Sequence, residues 1–535
     1  MTEVINMANS SDYVFGANIL DNLTTGMYTD SRVIYREYIQ NACDSIDMAQ
    51  KNGLLQSGEG VIEIYTDDDE RTISIRDNGI GIKAEDYIRT LGNIANSDKT
   101  LGESKGFRGI GRLCGLAYCQ TLIFSSKAQG ETTISYMICD AAQMRKLINQ
   151  NQLQREIKLS AAEVLTKIIS YKREKCSDIG DHWFEVKLIN VNPENHELLA
   201  RESVIDYLSF VAPVPFNKNF SYRSLIYDYV RRNGLHIDEY IIKVNGEQIF
   251  KDYRTRVKTS KGEDRIFDVH FHNLFDDEHN LIAWVWFGLR NFQAVIDKDS
   301  PQRGLRLRKE NIQIGCEDAL QRLFKEDRGT HYFIGEVHAV SKDLIPNSQR
   351  DYFNENAMRN IFEREAKQYF SDSLHRLYHT GNDVSSAFDK IDSYQRQVEE
   401  FQQKELNSDF VDDKQRKEAV TKVEKSRKGA EDSIKKIANV TERYKDNPES
   451  PIYKVVSHIS ENRDAKQFIH VDDRKEDQTS EKDISKKKTK RWVDRLSSVP
   501  KNERKLISRV IGVVRKFVDE TTFDKILDKV EEEFK

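Results

Sequence analysis

The chain has 535 residues, 38% hydrophobic and 32% charged, with a net charge of −5. Its length fits about three domains. The negative balance argues against a protein dominated by nucleic-acid binding, and no apolar run is long enough to cross a bilayer. The six cysteines (Cys43, Cys114, Cys119, Cys139, Cys176 and Cys316) form no C-x-x-C pair and read as small buried hydrophobes in a reducing compartment. The first fifteen residues show no secretory pattern, so a cytoplasmic location is expected.

The first strong element is VIYREYIQNACDSID, Val33–Asp47, which reads as a helix without Gly or Pro. Glu37, Asn41 and Asp44 follow steps of four and three and share one side of it. The plain alternative is a solvated polar stripe. Two strand-like runs come next, Val61–Thr66 and Thr72–Asp77, forming a hairpin around Asp67–Glu70. The two-residue period places Asp77 on the same face as Ile73 and Ile75, at the end of an inward apolar row. The chain continues as DNGIGI, where Gly79 and Gly81 would let the backbone approach a flat ligand. An inward Asp beside them suits an exocyclic amine such as that of adenine. Further on, GFRGIG (Gly106, Phe107, Arg108, Gly109, Ile110, Gly111) opens an apolar helix over Leu113–Tyr118. Free amides at such an entry favour anions. The pattern is neither a Rossmann fingerprint nor a P-loop.

In their order and spacing, the E-x-x-x-N-x-x-D helix, the D-x-G-x-G turn, the segment LGNIANSDK (Leu91–Lys99) and the G-x-x-G-x-G stretch resemble the GHKL ATPases. That superfamily includes Hsp90, MutL, type II topoisomerase ATPase subunits and histidine kinases, and LGNIANSDK is especially similar to the Hsp90 segment. The resemblance implies a Bergerat-fold α/β sandwich over residues 1–200, with ATP and Mg²⁺ as ligands. By it, Glu37 is the general base that polarises water, Asn41 is the Mg²⁺ ligand, and Asp44 either lines the nucleotide pocket or supports its ligands from behind. Asp77 takes the adenine amine, with Gly79 and Gly81 against the base. Ser97 and Lys99 lie at the lid edge. Gly106 to Gly111 wrap the phosphates, and Arg108 adds charge there. Histidine kinases carry Asn where Glu37 stands and need an upstream phospho-accepting His; the first His here is His182, so hydrolysis is expected. The family's late strand usually carries Gly-Thr. The equivalent run, His182–Val191, has no Thr, which leaves that contact unassigned.

Residues 201–353 read as an α+β, transducer-like middle domain. It is entered at Pro213 and Pro215 and contains an Asn245-Gly246 hairpin turn. By resemblance, GLRLRKENIQIG (Gly304–Gly315) is the loop that sends a cation to the γ-phosphate, with Arg306 or Arg308 foremost and Lys309 third. The plain alternative is a basic solvated edge strand. LIPNSQRD also resembles a segment of bacterial Hsp90-like proteins, with no role assigned.

Residues 354–460 read as long charged helices, a helical hairpin or short antiparallel coiled coil interrupted at Asn407–Asp413. Residues 461–491 read as a polar linker ending in KKKTKR, and 492–535 as a small amphipathic helical unit. The whole is thus expected to be an α+β, Hsp90-like ATPase. Lid closure and homodimerisation would couple hydrolysis to remodelling of a protein client or nucleoprotein partner. The alternatives are a nucleotide-switched scaffold or a DNA-acting clamp of MutL/MORC-like type. Nucleic acid is the less favoured partner, and no membrane partner is expected.

Overall fold

The computed structural model describes residues 15–24, 26, 30–93, 111–153, 159–407, 409–463, 501–515 and 517–534. The chain divides into two units, residues 1–289 with 295–374 and residues 290–294 with 375–535. The class is α+β, as expected.

In the first unit, helices α1 (Asn18–Thr24) and α2 (Val33–Lys51) precede the hairpin of β1 (Val61–Asp67) and β2 (Thr72–Asp77). Then come α3 (Tyr87–Gly92), a 3₁₀ helix (Gly111–Ala117), β3 (Cys119–Lys127), β4 (Thr133–Asp140), α4 (Ala141–Leu153), α5 (Ala161–Ile168), β5 (Ile169–Lys175) and β6 (Trp183–Val191). After α6 (Arg201–Val211) and α7 (Arg223–Arg232), strands β7 (Ile241–Val244) and β8 (Glu247–Gln248) complete one eight-stranded sheet in the order β5-β4-β3-β6-β2-β1-β7-β8. Residues beyond the expected boundary at 200 therefore supply its last two strands. β7 joins β1 in parallel, Val61 opposite Ile241, while the other pairings are antiparallel. Asn245 and Gly246 both adopt positive φ (49° and 83°), the geometry that a two-residue hairpin turn requires.

α2 is held in place by its own pattern. Ile34, Tyr35, Ile39, Ala42, Cys43 and Ile46 are buried in the core with Ile62, Ile64, Ile73 and Ile75 of the hairpin. Cys43, Cys114, Cys119 and Cys139 are buried there as expected; Cys176 is half-buried and Cys316 exposed, which corrects the general reading of the cysteines.

The rest of this unit builds a second sheet. A small ribbon, β9 (Arg256–Thr259) with β10 (Gly262–Arg265), precedes β11 (Asp268–Phe275), β12 (Leu281–Leu289), β13 (Gly304–Lys309), β14 (Ile312–Gln313) and β15 (Ile334–Ala339). The five-stranded order is β11-β12-β15-β13-β14, with β13 parallel to β15. Trp284, Trp286, Phe216, Phe220 and Tyr253 dominate its core. Helix α8 (Ala357–Tyr369) follows.

In the second unit, α9 (His375–Leu406) and α10 (Asp413–Tyr444) form an antiparallel hairpin. Lys436 pairs with Asp383 at 2.9 Å towards one end and Arg416 with Glu405 at 2.5 Å towards the other. The break expected at Asn407–Asp413 is the turn, and Asp412 caps α10 through the Gln415 N–H at 2.7 Å. Helix α11 (Pro451–Asn462) follows, and Arg463 just beyond it ties to Asp389 of α9 at 2.6 Å. Helices α12 (Lys501–Val514) and α13 (Glu520–Glu533) pack through Ile511, Phe523 and Leu527. No helix among the described residues is long and apolar enough to cross a membrane.

Candidate nucleotide site

The polar face of α2 is not solvated. Glu37 is 9% exposed and Asp44 5%, while Asn41 is half-buried. Carboxylates are placed so deep only where partners or a ligand compensate for lost water. Just before the helix, Asp30 Oδ1 accepts the Arg32 N–H at 3.0 Å, and the helix ends before Gly53 at φ +74°.

The end of the glycine stretch meets this helix. A Cβ on Gly111 would overlap Glu37 Oε2, so only glycine leaves the carboxylate its place. The Tyr38 hydroxyl fastens the contact: it donates to Arg112 O and accepts the Gly115 N–H, both at 3.0 Å. Ser97, Lys99, Gly106, Phe107, Arg108, Gly109 and Ile110 lie outside the described residues.

Asp77 ends β2 as the alternation requires. It is 4% exposed and stands opposite Ile62 on β1 and Phe184 on β6. Its Oδ1 accepts the Gly79 N–H at 2.9 Å. The Ile80 N–H donates to the Ser45 carbonyl at 3.1 Å, which ties the turn to α2 one residue from Asp44. Gly79 O meets His182 Nδ1 at 2.6 Å. Gly81 has φ +67°, and a Cβ there would overlap the Lys127 carbonyl. The close approach that these glycines allow is thus made to the protein itself, to Ser45 and to the backbone of β3. Glu37, Asn41, Asp44, Asp77, Gly79, Gly81 and Gly111 come together around α2.

The strand that lacks Gly-Thr is β6. Across the sheet at the level of Asp77 stand Phe184 on β6 and Ser126 on β3. Ser126 Oγ accepts the Ile82 N–H at 2.8 Å and donates to Trp183 O at 3.1 Å. A ring therefore occupies the strand position beside Asp77, and the Ser126 hydroxyl one strand further on is bound to the DNGIGI turn.

Arg306 and Arg308 are placed differently from the expectation of a loop presenting cations. Gly304–Lys309 is an interior strand of the second sheet, buried along its length. Arg308 is 0% exposed; its guanidinium donates to Glu336, to Asn311 O at 2.8 Å and to Phe210 O at 2.6 Å. Arg306 stacks over Phe210 and donates to Gln313 at 2.7 Å and to Pro301 O. Lys309 donates to Ser341 O at 2.6 Å. Glu336 also takes Lys251 and Tyr253 at 3.0 Å and Trp286 at 3.2 Å. Burial alone would raise this carboxyl; Arg308 and Lys251 hold it well below the usual range. Burial and Arg308 in turn push Lys251 down to about 8.

Sequence reasoning left LIPNSQRD without a role. In the structure Arg36 Nη2, beside Glu37, donates to the Gln349 carbonyl at 3.0 Å across 313 residues of chain. Arg36 also lies 3.6 Å from Glu37 Oε1. The contact joins α2 to the segment after β15, so no local pattern could have announced it. Burial raises the Tyr207 phenol on α6 to about 12 while the Arg36 charge opposes, so it stays protonated at neutral pH and is no base.

As for ligands, the Asn41 amide oxygen is a hard donor one turn from Glu37 and fits a magnesium-bound phosphate. The buried Asp77 carboxylate fits a purine amine.

Residues 28–172 match the family model described as histidine kinase-, DNA gyrase B-, and HSP90-like ATPase. Among curated proteins, the chain is similar to the chaperone protein HtpG of Rickettsia typhi, 32% identical over 152 residues, 23% of this chain and 24% of that one. The HtpG of Psychrobacter cryohalolentis is 31% identical over 133 residues, 22% of this chain and 20% of its own. That of Rhodospirillum rubrum is 36% identical over 87 residues, 15% and 14%. The similarity thus spans a quarter or less of these relatives' length. The motifs quoted from the sequence and this match agree: residues 28–172 are similar to the ATPase domains of the histidine kinase-, DNA gyrase B- and HSP90-like family.

Proposed function

We propose that this protein binds ATP with magnesium between α2, the turn after Asp77 and the glycine stretch, and hydrolyses it with Glu37 as general base. The observation that carries the reading is the Glu37 carboxylate. It is buried, it is fitted against Gly111, and its Oε1 makes no hydrogen bond among the described residues. A base needs such an oxygen for the proton it takes. Bound magnesium neutralises phosphate charge, and Asn41 is its protein ligand in this reading. Asp77 fixes the adenine amine, Asp44 and Gly79 close the pocket, and Gly81 sets the turn. In this reading Ser97 and Lys99 belong to the lid edge, and Gly106 to Gly111 bind the phosphates through backbone amides. Water adds to the γ-phosphorus as the bond to the bridging oxygen of ADP breaks, and its proton goes to Glu37.

Lid closure then couples to pairing of two N-terminal domains and to remodelling of a protein client in the cytoplasm. The relatives' printed name, chaperone, favours this use over a DNA clamp. A nucleotide-switched scaffold is the second reading, favoured by the long α9–α10 hairpin.

The test is steady-state ATP turnover of wild type beside Glu37→Gln, with and without an unfolded client or DNA. Turnover should fall roughly 10²–10⁴-fold while ATP binding persists. Equal turnover in the two proteins refutes hydrolysis by Glu37; function without turnover favours the scaffold.

A further inference from the structure

Beyond Glu37, α2 carries a second buried polar group that the reading above leaves unused. Gln40 is 1% exposed, and neither its Nε2 nor its Oε1 has a hydrogen-bond partner among the described residues. Two neighbours on the helix share this state: Arg36 Nε and Glu37 Oε1. Three other polar side chains of α2 are satisfied. The Tyr35 hydroxyl bonds Leu198 O, Tyr38 bonds the 3₁₀ helix, and Asp47 takes the Tyr240 hydroxyl at 2.6 Å. Burying an amide with neither atom used costs folding free energy that a leucine of similar volume would not. The unpartnered atoms cluster within one turn of the base rather than scattering along the helix.

We propose that Gln40 is a positioning residue for ATP hydrolysis, its carboxamide holding the water that Glu37 deprotonates. This rests on the ATPase reading above. Residues three apart on a helix have Cβ atoms about 5–6 Å from each other, a span that one water bridges between two side chains. The chemistry is complementary. Gln40 Nε2–H donates to the water oxygen, Glu37 Oε1 accepts one water proton, and an oxygen lone pair remains for phosphorus. Gln40 neither gains nor loses a proton; it fixes where the lone pair points. Arg36, 3.6 Å from Glu37 Oε1, is itself held by Gln349 O.

The test compares full-length wild type, Glu37→Gln, Gln40→Leu and Gln40→Glu. The measurements are melting temperature, ATP·Mg²⁺ affinity, kcat and the pH–rate profile. Gln40→Leu should melt at or above the wild-type temperature, bind ATP within about twofold and lose at least tenfold in kcat. Gln40→Glu puts a second carboxylate beside the base and should move the acid limb of the profile to higher pH. A Gln40→Leu protein that melts lower overturns the proposal, because the amide then had a structural partner. So does one with kcat within about threefold of wild type, or an unmoved acid limb in Gln40→Glu. If wild type turns over no faster than Glu37→Gln, the ATPase reading itself has failed; if it does and Gln40→Leu matches wild type, only the role of Gln40 has.

Discussion

Arg308 offers the sharpest test of what the second sheet does, because a phosphate-sensing role and its observed place imply opposite phenotypes. Replacing it with Met removes three hydrogen bonds, to Glu336, Asn311 O and Phe210 O, at a site of 0% exposure. Glu336 keeps Lys251, Tyr253 and Trp286 but loses the partner that most lowers its pKa. Breaking a buried pair by removing one member typically costs about 3–5 kcal/mol. For a unit of this size that is a drop of roughly 10 °C in the melting transition. Tryptophan fluorescence reports it directly, since Trp286 Nε1 donates to the same carboxylate at 3.2 Å. The pair Arg308→Met with Glu336→Gln removes the uncompensated charge and should recover much of the loss. Wild-type stability in Arg308→Met together with abolished ATP turnover would refute this reasoning and return Arg308 to the nucleotide.

Gly111→Ala places a methyl where Glu37 Oε2 stands; because the end of a flexible side chain can shift, folding should persist while kcat falls at least tenfold, as ATP turnover and melting would show together. Gly81→Ala combines φ +67° with overlap of the Lys127 carbonyl, so both ATP affinity and stability should drop, the latter by more than about 1 kcal/mol in urea unfolding. Acid should weaken the second sheet. Burial lowers His338 to about 4 although Glu336 opposes this, against about 6.5 in the unfolded chain, so between those values the unfolded state binds the extra proton and stability falls as pH falls. His338→Gln should flatten that slope by about 1–3 kcal/mol over the window, read from urea midpoints at pH 7 and 5; an unchanged slope would count against it.

Much of the nucleotide site could be read from the chain, for a physical reason. Glu37, Asn41 and Asp44 share a helix face by spacing alone, and Asp77 inherits its inward direction from Ile73 and Ile75. Helical and strand periods are local properties, and the motifs that carry the family resemblance lie along them. The hairpin turn at Asn245-Gly246 and the break before α10 were legible on the same ground. What periodicity could not tell was which surface each face would meet. The run GLRLRK looked like a basic exposed edge or loop; its arginines are buried because β13 pairs in parallel with β15, setting Arg306 opposite Glu336 and Arg308 opposite His338, and Lys251 reaches the same carboxylate from outside the two strands. Likewise β7 crosses from beyond residue 200 to extend the first sheet, and Gln349 reaches Arg36 from 313 residues away. The sequence by itself determined the helix with the base, the aspartate at the strand end and the glycines between them. Only the tertiary structure decided that Glu37 lies against Gly111, that Phe184 rather than a threonine stands beside Asp77, and that Gln40 is buried with its amide unspent, because each depends on pairing between segments that no local pattern connects.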